Sequence, residues 1–234
     1  MDQEEDNSNI IATNIPLNIV YEDDCLLIIN KQPNVAIHPS MLHYDNSLSN
    51  GVKFYFDSIG LKKKIRPVNR LDRNTSGLVI FAKNEYVQEF LIKQMQNNTF
   101  SKEYLAILEG ILNEKKGTII APIARKKDSI IERCIDESGD FSITHYKVIK
   151  EFNNLSLVNF KLETGRTHQI RVHSSYIGHP ILGDDLYGNK SSLICRQALH
   201  SYKISFTHPK TLKKMCFEID LPKDMLSILN NELI

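Results

Sequence analysis

No apolar run in the chain reaches the roughly 18 residues that suggest a membrane span, and the N-terminus lacks the basic, then apolar, order of a secretory signal. A cytoplasmic protein with no membrane partner is expected. Cysteine is sparse: Cys25, Cys134, Cys195 and Cys216 are scattered without paired spacing, which argues against both a disulfide framework and a zinc site. They read as buried or idle thiols. Glycine-rich dinucleotide loops and phosphate-loop signatures are also missing, as are internal repeats and clear linkers. Positive charge is absent from residues 1–24, which hold seven acids (Asp2, Glu4, Glu5, Asp6, Glu22, Asp23 and Asp24).

The rest of the chain therefore carries all 29 basic side chains against 21 acidic ones, so a near-neutral total conceals a basic body. At 234 residues, 41% hydrophobic and 24% charged, it is large enough for a substantial core in one domain or two intimately packed halves. Residues 1–17 read as a disordered acidic segment and 18–234 as the folded part. Within it, residues 62–73 place Lys62, Lys63, Lys64, Arg66, Arg70 and Arg73 against Asp72 alone, a local charge of +5. A solvated face explains a lysine run by itself, but such a patch also suits a polyanion, because Lys and Arg contacts to phosphate dominate nucleic-acid affinity.

Asp72 is the candidate nucleophile. It lies between Arg70 and Arg73 and ahead of Asn74-Thr-Ser-Gly77; flanking cations favour its ionised form. Taken alone, the string reads as a turn or helix cap beside a surface salt bridge. A second polar string, Glu163-Thr-Gly-Arg-Thr-His-Gln-Ile-Arg-Val-His173, followed by Gly178-His-Pro-Ile-Leu-Gly-Asp184, is hard to explain by packing.

Hydrophobic periodicity gives a strand-rich alternation of strands and helices. Strands are predicted over residues 25–30, 78–82, 102–110, 141–150 and 155–163, and helices over 47–58 and 85–97. A further helix is predicted over 167–177, with Thr167 as its cap and Gly178 and Pro180 as stop signals. Its spacing puts His168, Arg171 and Ser175 on one face, free to reach a ligand, and Ile170, Ser174 and Ile177 on a packing face. An arginine near a helix N-terminus can hold a carboxylate or phosphate. His168 and His173, five residues apart, point in different directions and read as hydrogen-bonding or packing groups, not metal ligands.

Taken together, these strings resemble the RluA-type family of RNA pseudouridine synthases. The resemblance rests on Arg66 through Lys83, Lys102-Glu-Tyr-Leu-Ala106, Gly165 through His173, Gly178 through Asp184, Arg196-Gln-Ala-Leu-His200 and Phe206-Thr-His-Pro209, in that order. It covers roughly residues 18–220. The resemblance implies an α+β fold: a mixed, mainly antiparallel sheet in two halves with a central cleft, flanked by helices. It makes 18–234 a catalytic domain and, since the likeness begins near Tyr21, leads us to expect no additional N-terminal RNA-binding domain.

The implied reaction converts uridine in RNA to pseudouridine: the N1–C1′ bond breaks, the uracil turns, and C5 is joined to C1′. No redox change occurs, so no cofactor and no metal are expected. Asp72 is then the catalytic carboxylate, by attack on the sugar carbon or by taking a proton from C2′. Arg171 is its basic partner, and Tyr104 the aromatic group that stacks on the uracil and helps remove the C5 proton. Arg70 matches the residue that fills the space of the extruded base. Lys62, Lys63, Lys64, Arg73, Arg166 and His168 are candidate RNA contacts. Asn69 departs from the pattern, standing where many members have histidine.

The expected partner is ribosomal RNA, with transfer RNA as the alternative and no obligate protein partner. Two other readings stand beside this one. A catalytically silent RNA-binding protein on the same scaffold is disfavoured by the presence of Asp72. A carboxylate glycosidase needs a second placed acid, for which Glu163 and Asp184 are the only candidates in the two strings.

Overall fold

The computed structural model describes residues 10–40 and 44–230. Contacts divide the chain into two compact units. The first comprises residues up to Phe100 together with Ile204–Ile219, the second Ser101–Lys203 with the segment from Asp220.

In the first unit, β1 (Ile19–Glu22), β2 (Leu26–Lys31) and β4 (Ser76–Ala82) are neighbours, β3 (Arg66–Pro67) adds to β4, and the end of β11 (Leu199–Thr207) lies beside β4 and pairs β12 (Lys214–Glu218). The β1/β2, β2/β4 and β3/β4 pairings are antiparallel. All seven residues of β4 are buried, as a strand covered on both faces requires. Helix α1 (Leu48–Ser58) starts where the Ser47 hydroxyl and the Asn50 side chain cap each other's backbone N–H, a reciprocal cap that satisfies two otherwise orphaned donors. Helix α2 (Glu85–Gln96) is capped by the Asn84 side chain, which accepts from the Val87 N–H at 2.9 Å. It buries Val87 and Leu91 in a core with Leu26, Ile28, Leu78, Ile80, Phe100, Ile204 and Phe206.

The disorder expected for residues 1–17 falls partly outside the described residues, which begin at Ile10. From there the chain runs against α1: the Thr13 N–H donates to the Asn50 carbonyl, and the Asn50 side chain donates to the Ile11 carbonyl. A Cβ on Gly51 would lie 3.0 Å from the Ile15 Cβ, so glycine lets this segment approach the helix. Residues 10–17 are therefore ordered, a correction to that expectation.

The second unit has the strand order β11, β5 (Ser101–Glu109), β10 (Leu155–Leu162), β9 (Ile143–Phe152), β6 (Lys116–Ile120), with β7 (Ile123–Arg125) and β8 (Arg133–Ile135) as a separate antiparallel pair. Strands β5, β9, β10 and β6 pair antiparallel. Asn153 and Asn154, both with positive φ, form the two-residue turn between β9 and β10, the backbone such hairpins need and asparagine tolerates. Helix α4 (Lys223–Asn230) is tied down by Arg196, whose Nε and Nη2 donate to the Asp224 carboxylate at 2.7 and 3.0 Å. Its sheet and helices agree with the α+β class expected from the sequence. Among the described residues, no helix is long and apolar enough to cross a membrane.

Candidate active site

In the first unit, Asp72 opens a tight turn: the Thr75 N–H donates to the Asp72 carbonyl at 3.0 Å, with Arg73 and Asn74 at its corner. The turn is held from below by Lys31, only 1% exposed, whose ammonium donates to the carbonyls of Gln32, Val35 and Arg73, each at 2.9 Å. Three donors meet three acceptors, which is how a buried ammonium avoids the cost of unpaired desolvation. Leu71 is buried, Asp72 is half-buried, and Arg70 and Arg73 are exposed on either side of it. The turn thus anchors its apolar residue and presents its charged ones.

Asn69 does a strand's work with its side chain. Its amide nitrogen donates to the Leu78 carbonyl at 3.0 Å and its oxygen accepts from the Ile80 N–H at 2.9 Å, while the Val68 N–H donates to the Ile80 carbonyl. Asn69→Leu leaves a buried N–H and a buried carbonyl of β4 unpaired, and we expect a loss of about 2–4 kcal/mol in urea unfolding. A loss under about 0.5 kcal/mol would show that the amide is not what holds this approach to the turn.

Lys62 and Lys64 are exposed and Lys63 is half-buried ahead of β3. Arg66 is drawn aside, bonded to Gln88 at 3.2 Å and paired with Glu85 at 3.7 Å on α2. Partial burial, then the Arg70 charge, hold His38 below the ordinary histidine range.

One set of potential metal ligands occurs among the described residues: Asp23, Cys25 and His208. The Nδ1 of His208 accepts from the N–H groups of Lys210 and Thr211. The ring proton is therefore on Nε2, which donates to Asp23 at 2.8 Å. The other Asp23 oxygen accepts from the N–H groups of Cys25 and Leu26. A ligating histidine would need that Nε2 lone pair, so the set is a hydrogen-bonded tie between two loops of the first unit.

In the second unit, Tyr104 lies on β5, 6% exposed and opposite Phe160 of β10. Glu103 points to the other face, bonded to Asn159 and Tyr202. The second polar string forms the loop entering α3 (Gln169–Tyr176). Its organiser is Gln169, whose side-chain oxygen accepts from the Thr164 hydroxyl and the Arg166 N–H, and whose nitrogen donates to the Ile143 carbonyl and the Thr144 hydroxyl. Arg166 is exposed, with Nε on the Phe141 carbonyl at 3.3 Å and Nη1 3.9 Å from Asp140.

Two expectations for this helix are corrected. Thr167 does not cap it: the cap position is His168, in the left-handed conformation at φ 59° and without a side-chain cap bond. Nor does the helix have one packing face and one open face, because Gln169 through Ser174 are all buried. Arg171 is 7% exposed and Asp184 1%; Nε and Nη2 of the guanidinium donate to the two carboxylate oxygens at 2.7 and 2.8 Å. Its carbon sits 5.0 Å from the centre of the Tyr187 ring. The Tyr187 hydroxyl accepts from the Arg133 N–H at 2.8 Å and is hydrogen-bonded to His168 Nδ1 at 2.7 Å. Burial raises the Tyr187 hydroxyl above its ordinary range and keeps it protonated.

Sequence reasoning missed Lys31, Asp184 as an orienting group, and Tyr187. The Asp184 carboxylate also accepts from the N–H groups of Leu186 and Tyr187, which disqualifies it as a glycosidase's general acid. A tyrosine three residues after Asp184, inside a glycine-bounded turn, was the available signal for Tyr187.

His173 is a buried hydrogen-bonding group, as its spacing suggested. The Thr144 hydroxyl donates to Nδ1 at 2.8 Å and Nε2 donates to the Ala121 carbonyl at 3.0 Å. Burial holds it below the ordinary histidine value of 6.5. A depressed folded value means the unfolded chain takes the proton first, so stability is complete above pH 6.5 and falls as acid drives the folded ring towards protonation. Unfolding measured at pH 7.5 and 5.0 should differ less in His173→Asn than in the parent chain, and an equal difference would remove His173 as the cause.

Comparison with known proteins gives concordant matches. A family model described as RNA pseudouridylate synthase matches residues 25–176. An uncharacterised RNA pseudouridine synthase, YjbO of Bacillus subtilis, is 41% identical over 230 residues, 98% of this chain and 81% of the relative. The ribosomal large subunit pseudouridine synthase D of Haemophilus influenzae is 35% identical over 240 residues, 97% of this chain and 74% of the relative. Among solved structures, human RNA pseudouridylate synthase domain containing 1 aligns with TM-score 0.72 at 25% identity, over 93% of this chain and 95% of that one.

Proposed function

The chain belongs to the RNA pseudouridylate synthase family, and from that premise we propose that it isomerises uridine in large-subunit ribosomal RNA, with Asp72 as its catalytic carboxylate. Pseudouridine synthesis on RNA is the activity of its relatives and makes the protein an isomerase. The observation that carries the substrate is likeness along nearly the whole chain to enzymes named for the ribosomal large subunit. A ribosomal substrate implies work in the cytoplasm.

Several features support the choice of Asp72. Its turn is fixed by a buried lysine, so the carboxylate is carried on rigid backbone, as a reacting group must be. Exposed Arg70 and Arg73 flank it with positive charge suited to RNA phosphates. Arg70 occupies the space of the extruded base, while Lys62, Lys63, Lys64, Arg166 and His168 contact phosphates. Tyr104 supplies the ring on which the detached uracil stacks and a hydroxyl for the C5 proton. Arg171 supplies a guanidinium whose orientation Asp184 and Tyr187 fix. Bond breaking at N1 and bond making at C5 leave the oxidation state unchanged, so the reading calls on no cofactor.

Two measurements test it. RNA carrying tritium at uridine C5 should lose label to water while every base stays joined to its sugar; free uracil would instead reveal a hydrolase. Pseudouridine mapping of total RNA from cells with and without the gene should show a missing site in the large-subunit RNA. Sites missing from transfer RNA alone would overturn the ribosomal assignment.

A further inference from the structure

Lys102 is a cation without a counter-charge. It is half-buried at the start of β5, and among the described residues its ammonium has neither a hydrogen bond nor an ion pair. Side chains alternate along a strand, so Lys102 shares the face of Tyr104, while Glu103, the carboxylate next to it in sequence, lies on the opposite face with Asn159 and Tyr202. The ammonium reaches the loop that leads into α3: a Cβ on Gly165 would stand 3.1 Å from Lys102 Nζ. Glycine at that position leaves the ammonium its space. The lysine is thus placed between the stacking tyrosine and the Gly165–His168 loop.

An unpaired, partly desolvated ammonium costs free energy in the free protein. Desolvation alone holds Lys102 below the ordinary lysine range, in agreement with the missing partner. The contrast with Lys31, whose ammonium meets three carbonyls, shows that this fold satisfies a structural lysine where it has one. A carbonyl of the uracil would offer a dipole only, whereas a phosphate supplies the missing negative charge. Two strand positions are about 6.6 Å apart, a separation comparable to that between a base and the phosphate of its own nucleotide.

We propose that the Lys102 ammonium is a binding site for a non-bridging phosphate oxygen of the substrate RNA, next to the nucleotide whose base stacks on Tyr104. This rests on the reading of Tyr104 given above. Binding completes the ion pair and fixes the sugar-phosphate of the target nucleotide.

The test compares the parent chain with Lys102→Met and Lys102→Arg on an in vitro transcript of large-subunit ribosomal RNA, from about 50 to 200 mM salt. Lys102→Met should weaken binding about tenfold at low salt and flatten the plot of log affinity against log salt by about 0.7, the contribution of one phosphate on a single strand. Lys102→Arg should restore the slope. A Met variant that melts like the parent and keeps its slope overturns the proposal, as does one whose only defect is in kcat. Should the Met variant fail to fold, acetylation of Lys102 in the parent decides: protection by the transcript supports the contact, and unchanged labelling with RNA bound refutes it. Tritium release by the parent on the same transcript separates the levels. No release overturns the functional reading and this one with it, whereas release with an unchanged slope overturns the Lys102 contact alone.

Discussion

Asp72→Asn is expected to lower single-turnover pseudouridine formation by about 10⁴-fold or more without changing the unfolding midpoint or RNA affinity appreciably. The separation follows from what holds the turn. The Thr75 N–H bonds the Asp72 backbone carbonyl, and Lys31 grips the carbonyl of Arg73; neither contact uses the carboxylate. Asparagine keeps the side chain's shape and removes only its charge and basicity, which both proposed routes require. Asp72→Glu keeps the charge and moves it by one methylene. Since a misplacement of about 1 Å costs on the order of 10²-fold, the Glu variant should lie between the parent and Asn. Residual Asn turnover within about tenfold of the parent would remove Asp72 as the reacting group. A large loss of stability would instead assign it to the fold.

What the sequence disclosed and what it hid differ in the range of the interactions involved. The strands read as apolar runs and the helix over α2 read from its periodicity are found within one or two residues of their expected bounds, because burial of a repeating face is a local property of the chain. The two-residue β3 and the three-residue β7 and β8 are too short to carry a period. Asp72 stood out because its flanking arginines and turn residues are adjacent to it. Lys31 did not, since the carbonyl it supports is 42 residues away. The helix from Gln169 was misread for the same reason. The spacing of His168, Arg171 and Ser175 suggests an open face, yet Arg171 has a buried partner 13 residues on, Asp184. Capping failed similarly: Tyr187, 19 residues on, bonds His168 at the position where a local rule favours Thr167.

The Arg171–Asp184 pair carries the other large effect. Both groups are almost fully withdrawn from water, so removal of either leaves a desolvated charge, and Arg171→Met is expected to cost about 3–5 kcal/mol in urea unfolding. Asp184→Leu should cost a similar amount. With both replaced, neither half of this pair is left stranded by loss of the other, and the double variant should recover part of the loss. A double-mutant cycle would then show a coupling of about 2–3 kcal/mol. Additive losses would mean that the pair is not energetically linked despite its two bonds. Activity discriminates further, because the doubly substituted protein restores packing without restoring a guanidinium. If Arg171 acts on the substrate, that variant is folded and inactive; if it serves only to neutralise Asp184, turnover returns with stability. Arg171→Lys sharpens the distinction: an ammonium retains the charge but cannot make the paired donation from Nε and Nη2. Its loss of turnover should therefore exceed its loss of stability if guanidinium orientation is what Asp184 and the Tyr187 ring secure.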